Sequence, residues 1–472
     1  MKMYVAGQWI DKDQKIEVRN SYDNSVIDTV PRADRSDIER ALQSAERGAR
    51  AMAKLTSYER WKILHRAAEL LAARVEELGT LISKEEGKIL AEGRSEALRA
   101  VDTIMESAEE AKRVHGETVA LDAASHGKGK FGVTIRVPCG VVVAISPFNF
   151  PLNLVCHKVG PAIAGGNAVI VKPATDTPLS AIRLTEILLE AGLPPEGINT
   201  LTGSGGDIGD ALVADRRVRK ITFTGSRDVG EHICKTAGIK RVTMELGSNA
   251  PVIVMPDADL DRVAAAVAST GYANAGQVCI STQRVLTASR VYDDFLSALR
   301  PKVSGLKVGN QLDASVQIGP MIREKEAVRV DEWVREAVAS GARVVTGGTR
   351  QGAMYAPTIV ADVKPDMRIS CDELFGPAVA VSPFTDIDEA IALANDTNYG
   401  LAAGIFTENL EWAWKFAREV QSGNLHVNWG PQWRADRMPY GGLKESGFGK
   451  EGPAYAIEEM TELKMVIFHL QS

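Results

Sequence analysis

Apolar positions change their period along the chain, and the change divides it. In the first third, Trp61, Leu64, Ala68, Leu71, Val75 and Leu78 recur at helical spacing and predict one buried helical face. Ser36 with Glu39, and Thr56 with Glu59, read as Ser/Thr-x-x-Glu pairs. Such pairs mark helix N-termini, because each side chain satisfies a backbone donor that the helix leaves free. From Gly140 onward, short apolar runs alternate with helical stretches. Val141 to Ile145, Ala168 to Val171, Ile198 to Leu201, Lys220 to Phe223 and Val242 to Met244 read as strands. Helices are expected to begin near Pro151, Thr177, Asp207 and Arg227. This alternation predicts an α/β fold with a parallel sheet covered on both faces. A second alternating block runs from Pro251 to about Asn428. Lys128 to Pro138 alternates like one arm of a hairpin, and Leu463 to Leu470 reads as a strand without a sequence-adjacent partner, whose edge needs cover.

Length and composition narrow the class. At 472 residues the chain exceeds one simple core, and two or three domains are expected. A hydrophobic content of 45% with 25% charged residues is that of a globular protein, and a net charge of −6 points to no nucleic-acid or anionic-membrane partner. No run approaches the roughly 18 apolar residues of a membrane span, and the N-terminus has no signal-peptide pattern, so a cytoplasmic protein is expected. Cys139, Cys156, Cys234, Cys279 and Cys371 are scattered, with no CxxC pair, and the seven histidines give no His-x-x-x-His. Neither a disulfide framework nor a metal site is expected.

The candidate chemistry lies in four short runs. Cys279 sits in Gly-Gln-Val-Cys-Ile-Ser, Glu245 in Met-Glu-Leu-Gly, Asn149 in Pro-Phe-Asn-Phe-Pro, and Glu373 opens Glu-Leu-Phe-Gly-Pro. A thiol, a carboxylate and an amide can attack a carbonyl, move a proton and hold the resulting oxyanion. In their order along the chain the runs resemble the aldehyde dehydrogenase superfamily, and the resemblance extends from about Tyr4 to the C-terminus. It lies closest to the non-acylating lactaldehyde, succinate-semialdehyde and non-phosphorylating glyceraldehyde-3-phosphate branch. The resemblance implies two doubly wound α/β domains: residues 1–118 and 139–247 for the coenzyme, and 248–440 for catalysis. It also implies a small β oligomerisation domain from residues 119–138 and 459–472, and hence a homodimer or homotetramer.

A coenzyme is harder to read locally. Gly203-Ser-Gly-Gly-Asp-Ile-Gly209 does not fit GxGxxG, and no P-loop occurs. Alone, that glycine cluster reads equally as a turn or a phosphate site. Gly225 and Ser226 fall at a strand-to-helix junction, where free N–H groups can hold a pyrophosphate. By resemblance they take that role, Lys172 contacts the adenine ribose, and Glu373 and Phe375 hold the nicotinamide side, with Ser146 and Phe148 also on the coenzyme. Family members that prefer NAD often carry Glu where this chain has Thr175. Without that carboxylate, and with Lys172 near, the expectation leans to NADP, with NAD also usable. Asp176 works partly against this.

The resemblance further implies that Cys279 forms a thiohemiacetal whose collapse yields a hydride and a thioester. Asn149 and the Cys279 N–H would hold the oxyanion, and Glu245 would activate the thiol or the hydrolytic water. CoA-acylating members generally lack that glutamate, so its presence favours a free acid as product. Two rival readings are a CoA-acylating enzyme and a non-catalytic protein that kept the fold. By the same matching, the substrate pocket takes Asn153, His157, Val278, Ile280, Arg434 and Tyr440. Its polar character suggests a small polar, possibly anionic aldehyde that Arg434 could grip. Arg434 and Arg437 read equally as surface or interface arginines, and His157 equally as a packing residue.

Overall fold

The computed structural model describes residues 1–470. Three sheets organise the chain. The first runs, in spatial order, Gln8–Ile10, Met3–Val5, Ile198–Thr200, Ala168–Lys172, Val141–Ile145, Val218–Thr224, Arg241–Glu245 and Gly447–Phe448. Its five central strands are parallel, and antiparallel strands close both edges. Val141–Ile145 and Ala168–Lys172 are buried at every position. Strands covered on both faces carry such unbroken apolar runs. The second sheet runs Arg343–Thr346, Thr358–Ala361, Ala378–Phe384, Arg284–Ala288, Pro251–Val254, Ala402–Phe406 and Asn424–Val427, parallel except at its first strand.

The third sheet changes the reading of the two isolated strands. Lys130–Pro138 does not turn back on its neighbour alone. It pairs antiparallel with Thr461–His469, from Lys130 opposite His469 to Pro138 opposite Thr461, while Thr118–Val119 covers its other edge. The C-terminal strand therefore finds its partner more than 300 residues away in its own chain. Leu463, Met465, Ile467 and Phe468 along it remain exposed.

Two local expectations shift. The first helix, Arg35–Met52, is capped by Asp34 with Asp37, not by Ser36 with Glu39. The Asp34 carboxylate accepts from the Ser36 and Asp37 N–H groups, and Lys12 pairs with both aspartates, so these charges settle the start two residues earlier. The stripe from Trp61 to Leu78 spans two helices, Ser57–Ala72 and Val75–Glu86, with the Thr56–Glu59 box at the start of the first. The helix expected near Asp207 is a wide turn, Gly205–Gly209, leading into the short Asp210–Ala214.

Helix Asn153–Ala164 fixes the site's geometry. Every residue in it is buried, between the first sheet and the helix Leu90–Ala111. A Cβ added at Gly160 would lie 2.5 Å from the Ser107 hydroxyl, so only a glycine lets these helices approach so closely.

Candidate active site

The parallel strands of the first sheet deliver their carboxyl ends to one crevice. Val141–Ile145 leads to Ser146, Phe148 and Asn149; Ala168–Lys172 ends on Lys172; Val218–Thr224 leads to Gly225; Arg241–Glu245 ends on Glu245. Strand order reverses between Val141–Ile145 and Val218–Thr224, and such switch points leave a crevice for a ligand.

Cys279 comes from the other sheet, on the loop between helix Leu260–Tyr272 and strand Arg284–Ala288. That loop is held in an unusual shape: Asn274, Ala275 and Gly276 have φ of +50°, +51° and +70°. Successive left-handed residues need external support. Glu92 accepts from the Asn274 N–H and Glu86 from its amide, both at 2.9 Å. The Gln277 carbonyl accepts from Asn149 Nδ2 at 2.8 Å, so the candidate oxyanion amide is tied to the nucleophile's own loop. One amide proton of Asn149 stays free. The Asn149 carbonyl in turn accepts from Lys88 Nζ at 2.6 Å.

Around the thiol, charge is tightly arranged. Cys279 Sγ lies 3.2 Å from the Tyr440 hydroxyl, and burial pushes the thiol up to about 12. Glu245 is buried, and both its carboxylate oxygens are unpartnered among the described residues. Burial and the charge of Glu451 hold it well above the usual carboxylate range. Glu451 behaves oppositely. Burial would raise it, but ion pairs with Lys158 and Arg434, each at 2.9 Å, keep it below that range. Two neighbouring carboxyls with such different environments suit one fixed charge and one proton acceptor.

Cys279 borders two cavities. The larger, about 840 Å³, is lined by Ser146, Phe148, Lys172, Thr175, Gly225, Ser226, Glu373 and Phe375, so every residue expected at the coenzyme meets there. Gly205, Gly206 and Gly209 line it too, with open space where their side chains would be. The fit to a dinucleotide is good. Helix Arg227–Ala237 starts at Ser226, which makes no side-chain cap, leaving backbone donors for a pyrophosphate. A Cβ at Gly225 would meet the Phe223 ring at 2.5 Å, so the turn admits only glycine without rearrangement. Lys172 is buried against only the Pro173 carbonyl, and burial lowers it to about 8. The Ser146 hydroxyl is buried without a partner. Asp176 is paired with Arg323 at 2.8 Å, which offsets its charge. Glu373 accepts from the Ser248 N–H at 2.9 Å and is raised by burial to about 7.

The smaller cavity, about 410 Å³, is lined by Asn153, Val278, Ile280, Arg434 and Tyr440 as expected, and also by Glu245 and Arg99. His157 is the exception. It lies one helical turn deeper than Asn153 and is walled off, with Nε2 2.9 Å from Asp436 and Nδ1 3.1 Å from Arg434. Helical spacing kept His157 on the face of Asn153, but the cavity meets only that helix's first turn. Burial and the Arg434 charge lower His157 to about 4. Arg434 is no surface residue: its side chain is 6% exposed and its guanidinium lies 4.0 Å from the Tyr440 ring centroid. Its Nε, buried, has no partner among the described residues. Arg437 is exposed and does not line this cavity. No local pattern in the sequence marks Lys88, Arg99, Lys158, Asp436 or Glu451 as site residues; the one available signal is the Glu-Glu-Gly-Lys run at Glu85 to Lys88, where charges cluster. Among the described residues, no group of three or more His, Cys, Asp or Glu could hold a metal ion.

Comparison with known proteins agrees with this geometry. Residues 9–466 match the model of the aldehyde dehydrogenase family. A 3-sulfolactaldehyde dehydrogenase of Priestia aryabhattai is 47% identical over 99% of this chain and 98% of its own. Aspartate-semialdehyde dehydrogenase 1 of Pseudomonas canavaninivorans is 44% identical over 96% and 97%. The crystal structure of aldehyde dehydrogenase 21 from Physcomitrella patens, in complex with the reaction product succinate, superimposes with a TM-score of 0.96. It is 39% identical, covering 99% of this chain and 98% of that one. The chain belongs to the aldehyde dehydrogenase family and is an NAD(P)-dependent oxidoreductase acting on the aldehyde group.

Proposed function

We propose that the chain oxidises a small aldehyde with a polar or anionic tail to its carboxylic acid, with NADP preferred and NAD usable. One observation carries the substrate reading: Arg434 lines the cavity beside Cys279 with a buried, unpartnered Nε. A buried donor without an acceptor is costly, and a carboxylate, sulfonate or hydroxyl arriving in that cavity would satisfy it. Arg99, 30% exposed and paired with Asp436, offers a second cation on the same cavity. Relatives named for 3-sulfolactaldehyde and aspartate semialdehyde, both bearing an anion, support the same class. For the coenzyme, Lys172 with neutral Thr175, and Asp176 already paired, favours a 2′-phosphate.

In this mechanism Cys279 attacks the aldehyde carbon, and its proton passes to Glu245, whose unpartnered oxygens are free to take it. The free amide proton of Asn149 and the Cys279 N–H hold the oxyanion. The bound coenzyme supplies the hydride acceptor. Glu245 then orients the water that hydrolyses the thioester on Cys279. The CoA-acylating rival finds no support in the relatives named above. We read the first sheet's unit (1–118 and 139–247) as holding the coenzyme and 248–440 as catalytic. Residues 119–138 and 459–472 would pair two or more copies through the exposed apolar strand, 471 and 472 lying outside the described residues.

The test is a panel of initial rates with lactaldehyde, succinate semialdehyde, 3-sulfolactaldehyde and hexanal, each with NAD and NADP. The anionic substrates should lead, and Arg99→Leu should cut their kcat/KM by about 10- to 100-fold while sparing hexanal. Hexanal leading, with Arg99→Leu silent, would overturn the substrate reading.

A further inference from the structure

Tyr440 and Cys279 are 161 residues apart, yet the hydroxyl and the sulfur meet at 3.2 Å. Tyr440 is 3% exposed, and its hydroxyl has this sulfur as its one hydrogen-bond partner among the described residues. While the thiol is neutral, either atom can donate. A thiolate can only accept, so the phenol must then be the donor. The phenol is also held in place from two sides. Its backbone exchanges hydrogen bonds with Glu451, at 3.1 and 2.7 Å, and the Arg434 guanidinium rests on its ring at 4.0 Å, itself anchored on Glu451. A cation over the ring draws electron density from it and strengthens the O–H as a donor.

The sulfur needs such a donor. Glu245 at the end of its strand and Glu373 in the loop before Ala378–Phe384 oppose its ionisation whenever they are themselves charged, and Arg434 is the opposing cation. Burial adds to the difficulty of ionising it.

We propose that Tyr440 is a catalytic residue, whose hydroxyl donates a hydrogen bond to the Cys279 sulfur whenever that sulfur is anionic. This occurs twice in a cycle, and the proposal rests on Cys279 being the nucleophile. Before attack, the thiolate awaits the aldehyde; as the C–S bond forms, the carbonyl π pair moves to oxygen and the sulfur loses its charge. In hydrolysis, Glu245, having released the first proton to solvent, takes one from the water that adds to the thioester carbon. The C–S bond then breaks with its pair returning to sulfur, where the same hydroxyl receives it. Tyr440 thus lowers the barrier to forming the nucleophile and to expelling it.

The experiment is alkylation by iodoacetamide of the full-length protein, alone and saturated with NADP, across roughly pH 6 to 10. Labelling is read by mass spectrometry on the Cys279 peptide, with exposed Cys371 as internal reference. Tyr440→Phe keeps the ring under Arg434 and removes one oxygen. It should slow Cys279 labelling about tenfold at each pH in that range, the effect of raising the thiol by about one pH unit, leaving Cys371 unmoved. Its thermal unfolding, measured alongside, should stay near that of the parent. A packing role alone would shift unfolding and leave the Cys279 labelling rate where it was, and that result would overturn the proposal. Failure of the underlying reading looks different: Cys279→Ala would still oxidise aldehydes.

Discussion

Lys88 donates from its ammonium to the main-chain carbonyl of Asn149 at 2.6 Å. The same ammonium meets Glu96 at 2.8 Å and lies 3.9 Å from the Phe150 ring centroid. Glu96 in turn accepts from the Leu152 and Asn153 N–H groups at the start of the buried helix. Burial opposes the charge on Lys88, but Glu96 and Glu86 outweigh it and hold the ammonium above its ordinary range. One buried cation therefore positions the candidate oxyanion amide of Asn149, while Glu86 and Glu92 position the loop that carries Cys279.

Removing one partner of a buried pair is worse than removing both. Lys88→Met should lower the thermal midpoint more than the double variant Lys88→Met with Glu96→Gln, and the single change costs about 3 kcal/mol or more. Differential scanning fluorimetry of the two variants decides it. Equal midpoints would mean that Lys88 acts by packing alone.

Glu245→Gln keeps the shape of the site and loses its proton acceptor. If hydrolysis depends on Glu245 more than attack by the thiol does, stopped-flow traces should show a burst of reduced coenzyme followed by turnover slowed about 100-fold or more. Intact-mass spectra taken in the slow phase should carry the acyl group on the protein. A variant with no burst would assign Glu245 to activation of the thiol instead.

Lys172 is lowered by burial to about 8, so its charge is lost within an accessible pH range. The protonated form attracts a 2′-phosphate and the neutral form does not. Affinity for NADP should therefore fall as pH rises through about 8, more steeply than affinity for NAD. Lys172→Met should bring the two pH profiles together, measured by quenching of intrinsic tryptophan fluorescence.

His157 is lowered from 6.5 to about 4 by burial and by the Arg434 charge. Below pH 6.5 the unfolded chain takes up a proton there that the folded chain refuses. Stability from this group is thus present above 6.5 and lost as pH falls towards 4, amounting to about 3 kcal/mol. Tightly held Asp436 loses its own share only at still lower pH. His157→Gln should flatten the fall in thermal midpoint over that acid interval.

The sequence by itself determined the sheet and the short runs that carry the candidate reacting groups. Val141–Ile145 and Ala168–Lys172 are apolar at nearly every position, and only a doubly covered strand accommodates such runs. Cys279, Glu245 and Asn149 were legible because short, characteristic runs flank each of them. The Thr56–Glu59 cap was legible because its interactions span three residues. What tertiary structure decided is where charge resides. Arg434 reads from its neighbours as a surface or substrate arginine. Glu451 and His157, the latter 277 positions away, settle it as a buried cation with one free donor. His157 shares a helical face with Asn153 in any sequence reading, yet only the depth of that helix in the core puts it behind the cavity wall. The Cys279–Tyr440 contact and the Lys88–Asn149 contact join segments 161 and 61 residues apart in the chain. Electrostatic and hydrogen-bond energies depend on distance and burial in space, and a linear pattern carries neither.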